Sequence, residues 1–271
     1  MSKIRVSIAI AACLLPAVLA CSAHAAGVPA NRQDPKVQAL LEELVVANHI
    51  LYAQGVVDGF GHISARSPLD PTHFFMSRSL APSAVTAGDI QEFDAEGNLV
   101  GEDKRAPYAE RFIHSELFKA RPDVMSVVHG HSPSVIPYGI SHVPLRPVFH
   151  MSGFLGAGTP IFEIRNSAGT EPDTDMLVKS PRLGAGLAQA LGKSSVVLMR
   201  GHGFTAVAYS VPVAVFRAVY TDANARIESE ALKLGRPQFL SEEEAALAQV
   251  SMERLSVRSW DMWKAQAGAA K

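Results

Sequence analysis

The chain has 271 residues, of which 48% are hydrophobic and 19% charged, and its formal net charge is −1. Those figures describe a globular protein long enough to bury a sizeable core. They exclude the strongly basic surface by which a protein holds nucleic acid or an anionic membrane.

Residues 1–25 read as a targeting segment. Lys3 and Arg5 precede an apolar run from Val6 to Ala20, and Ala23-His24-Ala25 supplies the small-residue cleavage pattern. The run is short for a bilayer span, so export to the periplasm is expected, with no membrane span in the mature chain. Val18-Leu19-Ala20-Cys21 loosely resembles a lipobox, in which Leu19 fits poorly, so a lipoprotein anchored at Cys21 is the second reading. Cleavage after Ala25 leaves one domain, residues 26–271. It also removes both cysteines, Cys13 and Cys21, so a metal in the mature protein has to be held by nitrogen and oxygen. Loss of Lys3 and Arg5 makes the net charge two units more negative.

Asp34-Pro35 opens a first helix, with Asp as the cap and Pro at the first helical position, and Gly55 closes it. Gly61-His62-Ile63-Ser64-Ala65-Arg66 runs from a turn into a strand. A second strand follows from Thr72 to Met76, ending in Ser77-Arg78-Ser79. Residues 89–93 and 98–100 flank Asp94-Ala95-Glu96-Gly97 as a hairpin. A helix is expected from about Pro107 to Lys119. In it Glu110 and His114 stand four apart, which on pattern alone makes them a solvated surface pair. Strands are expected at 124–128, 146–150 and 160–164, and a short helix from Ser180-Pro181 to Gly192. One or two strands follow over 195–209, broken at Gly201-His202-Gly203. A long helix then spans about Val211 to Leu234, and a last helix opens on a capping box of Ser241 and Glu244. Strands interspersed with helices over this length indicate an α/β protein with a mixed sheet covered by helices.

The chemistry concentrates in Val127-Val128-His129-Gly130-His131-Ser132-Pro133. Residues i and i+2 of a strand face one side, so the imidazoles of His129 and His131 aim at one point. Gly130 between them leaves room for close backbone approach. His202, after a second apolar run, completes a set of three imidazoles suited to one divalent metal ion, with a coordination position left for water or substrate. Zinc and manganese both suit that set.

The ordered motifs Thr86-Ala87-Gly88-Asp89-Ile90, Glu110-Arg111-Phe112-Ile113-His114, Arg121-Pro122-Asp123-Val124, His129-Gly130-His131-Ser132 and Gly201-His202-Gly203 resemble the class II aldolase/adducin family. The resemblance covers roughly residues 34–234. It implies a three-layer fold with a central mixed, largely antiparallel sheet between helices, and a homotetramer with sites at subunit borders. It also implies metal ligation by His129, His131 and His202, and a general acid/base or ligand role for Glu110, which displaces the surface-pair reading. His114 keeps a structural role. Where sugar-phosphate aldolases of the family cradle phosphate, this chain has Gly61-His62-Ile63-Ser64 and Ser77-Arg78-Ser79, with an imidazole and a guanidinium in place of small or amide groups. Arginine suits a carboxylate through paired hydrogen bonds, although Arg78 also reads as a solvated surface charge. The resemblance is to members that decarboxylate hydroxylated aromatic (di)carboxylic acids. His62, Ser64, Ser77, Arg78, Ser79 and His150 are therefore the expected substrate contacts, with a core role open for His150 and a packing role for Tyr220. The alternatives are an aldolase, epimerase or dehydratase acting on a sugar or polyol phosphate, and a non-catalytic periplasmic metal-binding protein.

Overall fold

The computed structural model describes residues 29–167 and 174–269, so the targeting segment with Cys13 and Cys21 lies outside the described residues. Asp34 accepts from the Lys36 N–H at 2.8 Å and caps α1 (Pro35–Ala53), which stops where Gly55 takes a φ of +69°. Then follow β1 (His62–Arg66), β2 (Phe74–Ser77), β3 (Ile90–Phe93), α2 (Arg111–Ala120), β4 (Ser126–Gly130) and a short α3 (Ile136–Ile140). The second half holds β5 (Ile161–Phe162), α4 (Pro181–Leu191), β6 (Val196–Met199), β7 (Gly203–Ala208), α5 (Val211–Leu234), α6 (Glu242–Arg254) and α7 (Ser256–Ala269).

The strands form one sheet in the order β3-β2-β1-β4-β7-β6-β5. Every neighbouring pair is antiparallel except β5 with β6. Alternation along each strand divides the apolar side chains between two cores. Ile63, Phe75, Val128, Leu198, Phe204 and Ala206 pack with α1, α5 and α7. Phe74, Met76, Val127, Val197 and Val207 pack on the other face with α2 and α4. This is the mixed, largely antiparallel three-layer fold expected. Burying each large side chain contributes about 1.5–3 kcal/mol relative to exposure. A one-residue slip of β4 would exchange Val128 for His129 across the sheet, so both cores hold the register.

Four local expectations change. The helix expected from Pro107 starts at Arg111, leaving Glu110 at the cap position with a side chain that does not cap. The hairpin after β3 reduces to a single Phe93–Leu99 bridge, because Asp94 Oδ1 draws in the N–H groups of Glu96 and Asn98. Residues 146–150 form no strand, since α5 side chains take over the pairing. Asn224 Oδ1 accepts from the Val148 N–H at 3.0 Å, Glu228 Oε2 accepts from the Arg146 N–H at 3.1 Å, and Asn224 Nδ2 donates to the Arg146 carbonyl. The strand expected at 160–164 shrinks to two residues. The Ser241–Glu244 capping box forms in full, and a further helix, α7, follows α6.

Candidate metal centre

The centre sits at the end of β4, on the face of the sheet that α2 covers. Pairing of β4 with β7 sets His129 opposite Thr205 and Gly130 opposite Phe204. That register carries the β6–β7 turn, and with it His202, to the end of β4. The backbones meet closely there. A Cβ on Gly203 would lie 2.2 Å from the Gly130 carbonyl oxygen, and one on Gly130 would lie 2.9 Å from the Val56 carbonyl oxygen. Ser132 and Ser134, just past His131, both donate to the buried carboxylate of Asp222 on α5, which fixes the loop leaving the centre.

His129 Nε2 is 3.0 Å from His131 Nε2, which is 3.0 Å from His202 Nε2. Glu110 brings Oε2 to 3.7 Å from His129 Nε2 and 3.6 Å from His202 Nε2. All four ligand atoms lie within 4.8 Å of one another. Their hydrogen bonds decide the tautomers. His129 Nδ1–H donates to the Phe204 carbonyl and His202 Nδ1–H to the Met176 carbonyl, each at 2.9 Å. The Nε2 atoms of both therefore carry lone pairs aimed at His131 Nε2, where a cation would meet them. A proton is a poor candidate. Burial pushes His131 down to about 4 and His129 well below the ordinary imidazole value, and the neighbouring imidazoles push in the same direction. Three neutral nitrogens, with a carboxylate oxygen beside them, make a site that fits a divalent ion. Glu110 moves the other way. Burial raises its carboxyl, although His202 and the Val178 N–H, which donates to Oε1 at 2.9 Å, favour the ionised form.

The other expected contacts divide into an adjoining wall and a remote group. His62 pairs with His129 across β1 and β4, and their ring centroids are 5.1 Å apart. Its Nδ1 lies 2.7 Å from His114 Nε2, while His114 Nδ1 lies 2.6 Å from Ser64 Oγ. His114 is thus buried between β1 and α2, and its contacts run to these two residues. Ser77 is buried, and its hydroxyl has no hydrogen-bond partner among the described residues. Arg78 donates from Nε to Asp89 Oδ1 at 2.8 Å, so its guanidinium is half-buried and tied on one edge rather than loose in solvent. Ser79 is exposed, and its N–H reaches the Ala106 carbonyl. His150 is the outlier. It is exposed, which corrects the core reading, and its ring stands edge-on to Phe149, which packs against Tyr220 of α5. Tyr220 packs against Phe149, Phe216 and Trp263.

Tyr108 escaped the sequence reading. Its ring lies 4.6 Å from the His62 ring, its hydroxyl donates to the Leu80 carbonyl, and the Arg78–Pro107 backbone bridge sets it beside Arg78. It therefore bridges the histidines to Arg78. Its place two residues before Glu110 was the available signal. Asp222 gave less, as one acidic residue on a long helix.

Comparison with known proteins agrees with this geometry. Residues 42–229 match the Class II Aldolase and Adducin N-terminal domain. The chain is 41% identical over 236 residues to Decarboxylase tropJ of Talaromyces stipitatus, a match covering 79% of this chain and 89% of that protein. It is 34% identical to a 3,4-dihydroxyphthalate decarboxylase of Arthrobacter keyseri, over 72% of this chain and 79% of the other. Among solved structures, an aldolase II superfamily protein from Pseudomonas syringae superposes with a TM-score of 0.71 at 22% identity, covering 88% of this chain and 96% of its own. An L-fuculose 1-phosphate aldolase superposes with a TM-score of 0.65 at 21% identity, over 80% and 96% of the two chains, a likeness of fold. With most of its length matched, and its histidines and glutamate gathered at one end of this sheet, the chain belongs to the class II aldolase and adducin family.

Proposed function

We propose that the protein is a divalent-metal-dependent decarboxylase of a hydroxylated aromatic carboxylic acid. The chain is a lyase of its family, and the names of its decarboxylase relatives support the finer reading. The observation that carries it is the Glu110 carboxyl, raised by burial and 3.6–3.7 Å from two imidazole nitrogens whose lone pairs face it. A divalent ion held by His129, His131 and His202, zinc or manganese, would supply Lewis-acid stabilisation of negative charge developing on a substrate oxygen.

The protein's own groups do the rest. Because Glu110 Oε1 is occupied by the Val178 N–H, Oε2 is the oxygen free to carry a proton. As the bond between ring carbon and carboxylate breaks, carbon dioxide leaves and the electron pair stays on the ring carbon. Glu110 Oε2 returns a proton to that carbon. Arg78 presents the guanidinium nitrogens not engaged by Asp89 to a second anionic group. His62 and Tyr108 form the wall between the two ends. Export to the periplasm and assembly as a tetramer belong to the same proposal. The mass of the native N-terminus and light scattering of the purified protein test them.

The decisive assay offers the zinc- or manganese-loaded protein a hydroxylated aromatic dicarboxylate and, separately, a sugar phosphate. Carbon dioxide release from the first is expected. Glu110→Gln should lower turnover about a hundred-fold or more with metal still bound. Arg78→Ala should raise KM by roughly ten- to a hundred-fold, the loss of a charge-assisted contact. Cleavage of the sugar phosphate with no carbon dioxide from the aromatic acid would replace this reading with an aldolase.

A further inference from the structure

His202 and Glu110 lie far apart in sequence, yet both depend on one short segment. The Met176 carbonyl accepts from His202 Nδ1–H, and the Val178 N–H donates to Glu110 Oε1, each at 2.9 Å. Between them these two bonds select the His202 tautomer and aim the Glu110 carboxylate. The segment is built to hold that pose. Met176 has a φ of +69°, the one positive φ outside glycine among the described residues, in a region a side chain disfavours. The Thr174 hydroxyl accepts from the Met176 N–H at 3.1 Å, and Asp175 Oδ1 accepts from the Leu177 N–H at 3.2 Å. Val178 is fully buried in the core under α2 and α4, which anchors the far end. The Met176 side chain also reaches Arg200, with its sulfur 3.7 Å from Nη2 beside the turn that carries His202.

We propose that residues 176–178 form a backbone strap that sets the His202 tautomer and the Glu110 carboxylate together, with left-handed Met176 as the positioning residue. The inference rests on the metal reading of the centre. If Met176 relaxed to negative φ, its carbonyl would swing away and His202 would lose the acceptor that keeps the proton on Nδ1. The lone pair on Nε2 would no longer be assured, and the Val178 N–H would shift from Glu110 in the same movement. Such outer partners of a ligating imidazole typically alter metal affinity by roughly ten- to a hundred-fold.

The test compares Met176→Gly with Met176→Val in the full chain, using zinc as the probe and competition with a chelator as the readout. Both substitutions delete the thioether, but only glycine accepts positive φ without penalty, while a β-branched residue resists it. The expected result is a zinc dissociation constant raised roughly ten- to a hundred-fold in Met176→Val and close to the parent value in Met176→Gly. Equal weakening in both would assign the effect to the side-chain contact with Arg200 and overturn the strap, as would parent-like affinity in both. Should Met176→Val fail to fold, Met176→Ala is read against Met176→Gly in its place, and weakening in the glycine variant overturns the proposal in either case. Because the readout needs no substrate, an error in the decarboxylase reading leaves it intact. A parent protein that takes up no zinc overturns the metal reading and the strap with it.

Discussion

Five histidines crowd one end of the sheet, and they fall into two sets that differ in what satisfies their nitrogens. His62 Nδ1 bonds to His114 Nε2 and His114 Nδ1 to Ser64, so in that set the protein supplies partners for both nitrogens of His114 and one of His62. His129, His131 and His202 point Nε2 at one another across 3.0 Å, with two of the three Nδ1 atoms spent on backbone carbonyls. Burial alone does not separate them, because His62, His114 and His129 are all buried. The difference teaches that burial does not mark a ligand, whereas several imidazole nitrogens converging on one point do.

The largest effect should come from breaking the converging set. His131→Ala leaves two imidazoles, and the metal content of the purified protein should fall well below one ion per chain, taking activity with it. Full occupancy in that variant would erase the distinction between the two sets. The satisfied set should answer differently. His114→Leu strands His62 Nδ1 and Ser64 Oγ, at about 1–3 kcal/mol for each unpaired buried group. A fall in Tm at unchanged metal content is therefore expected, by roughly 2–4 °C per kcal/mol in a domain of this size. Loss of metal on that substitution would merge the sets.

The same variant sharpens the comparison by pH. Burial holds His114 down to about 3, whereas the unfolded chain protonates it near 6.5. Its neutral form in the fold is free of penalty above pH 6.5. Below that the unfolded state gains a proton the fold refuses, so stability is lost progressively as pH falls toward 3. Removing His114 should reduce that slope by at most about 1.4 kcal/mol per pH unit, the value of one proton. Denaturant titrations of the two proteins at pH 7, 6 and 5 measure it, and identical slopes would refute the assignment.

The smallest effect is expected away from the site. Glu228, mainly through burial, is raised to about 7. A carboxyl raised in this way destabilises the fold above its folded value and ceases to do so below about 4.5. Glu228→Gln keeps an acceptor for the Arg146 N–H and should raise Tm at pH 8 by about 2–4 °C, the response to about 1 kcal/mol, with no gain at pH 4. Metal content should not change. A change there would extend the centre to the far side of the sheet.

What was legible in the sequence is what a few adjacent residues decide among themselves. Asp34 with Pro35, Ser180 and the Ser241–Glu244 box open helices because their side chains bond to N–H groups two or three residues on. His129 and His131 share a face because a strand repeats every two residues. The family motifs carried Glu110, and strands interspersed with helices implied a mixed sheet covered by helices. Tertiary structure decided the remainder, wherever partners come from distant segments. Residues 146–150 have a strand's composition, yet Asn224 and Glu228 of α5 claim their backbone groups. His114, four residues past Glu110, turns instead to His62 and Ser64, because α2 starts only after Glu110 and packs that face on β1. Met176 and Val178 serve the centre through a carbonyl and an N–H that every residue type but proline carries in full, so no side-chain pattern could announce them.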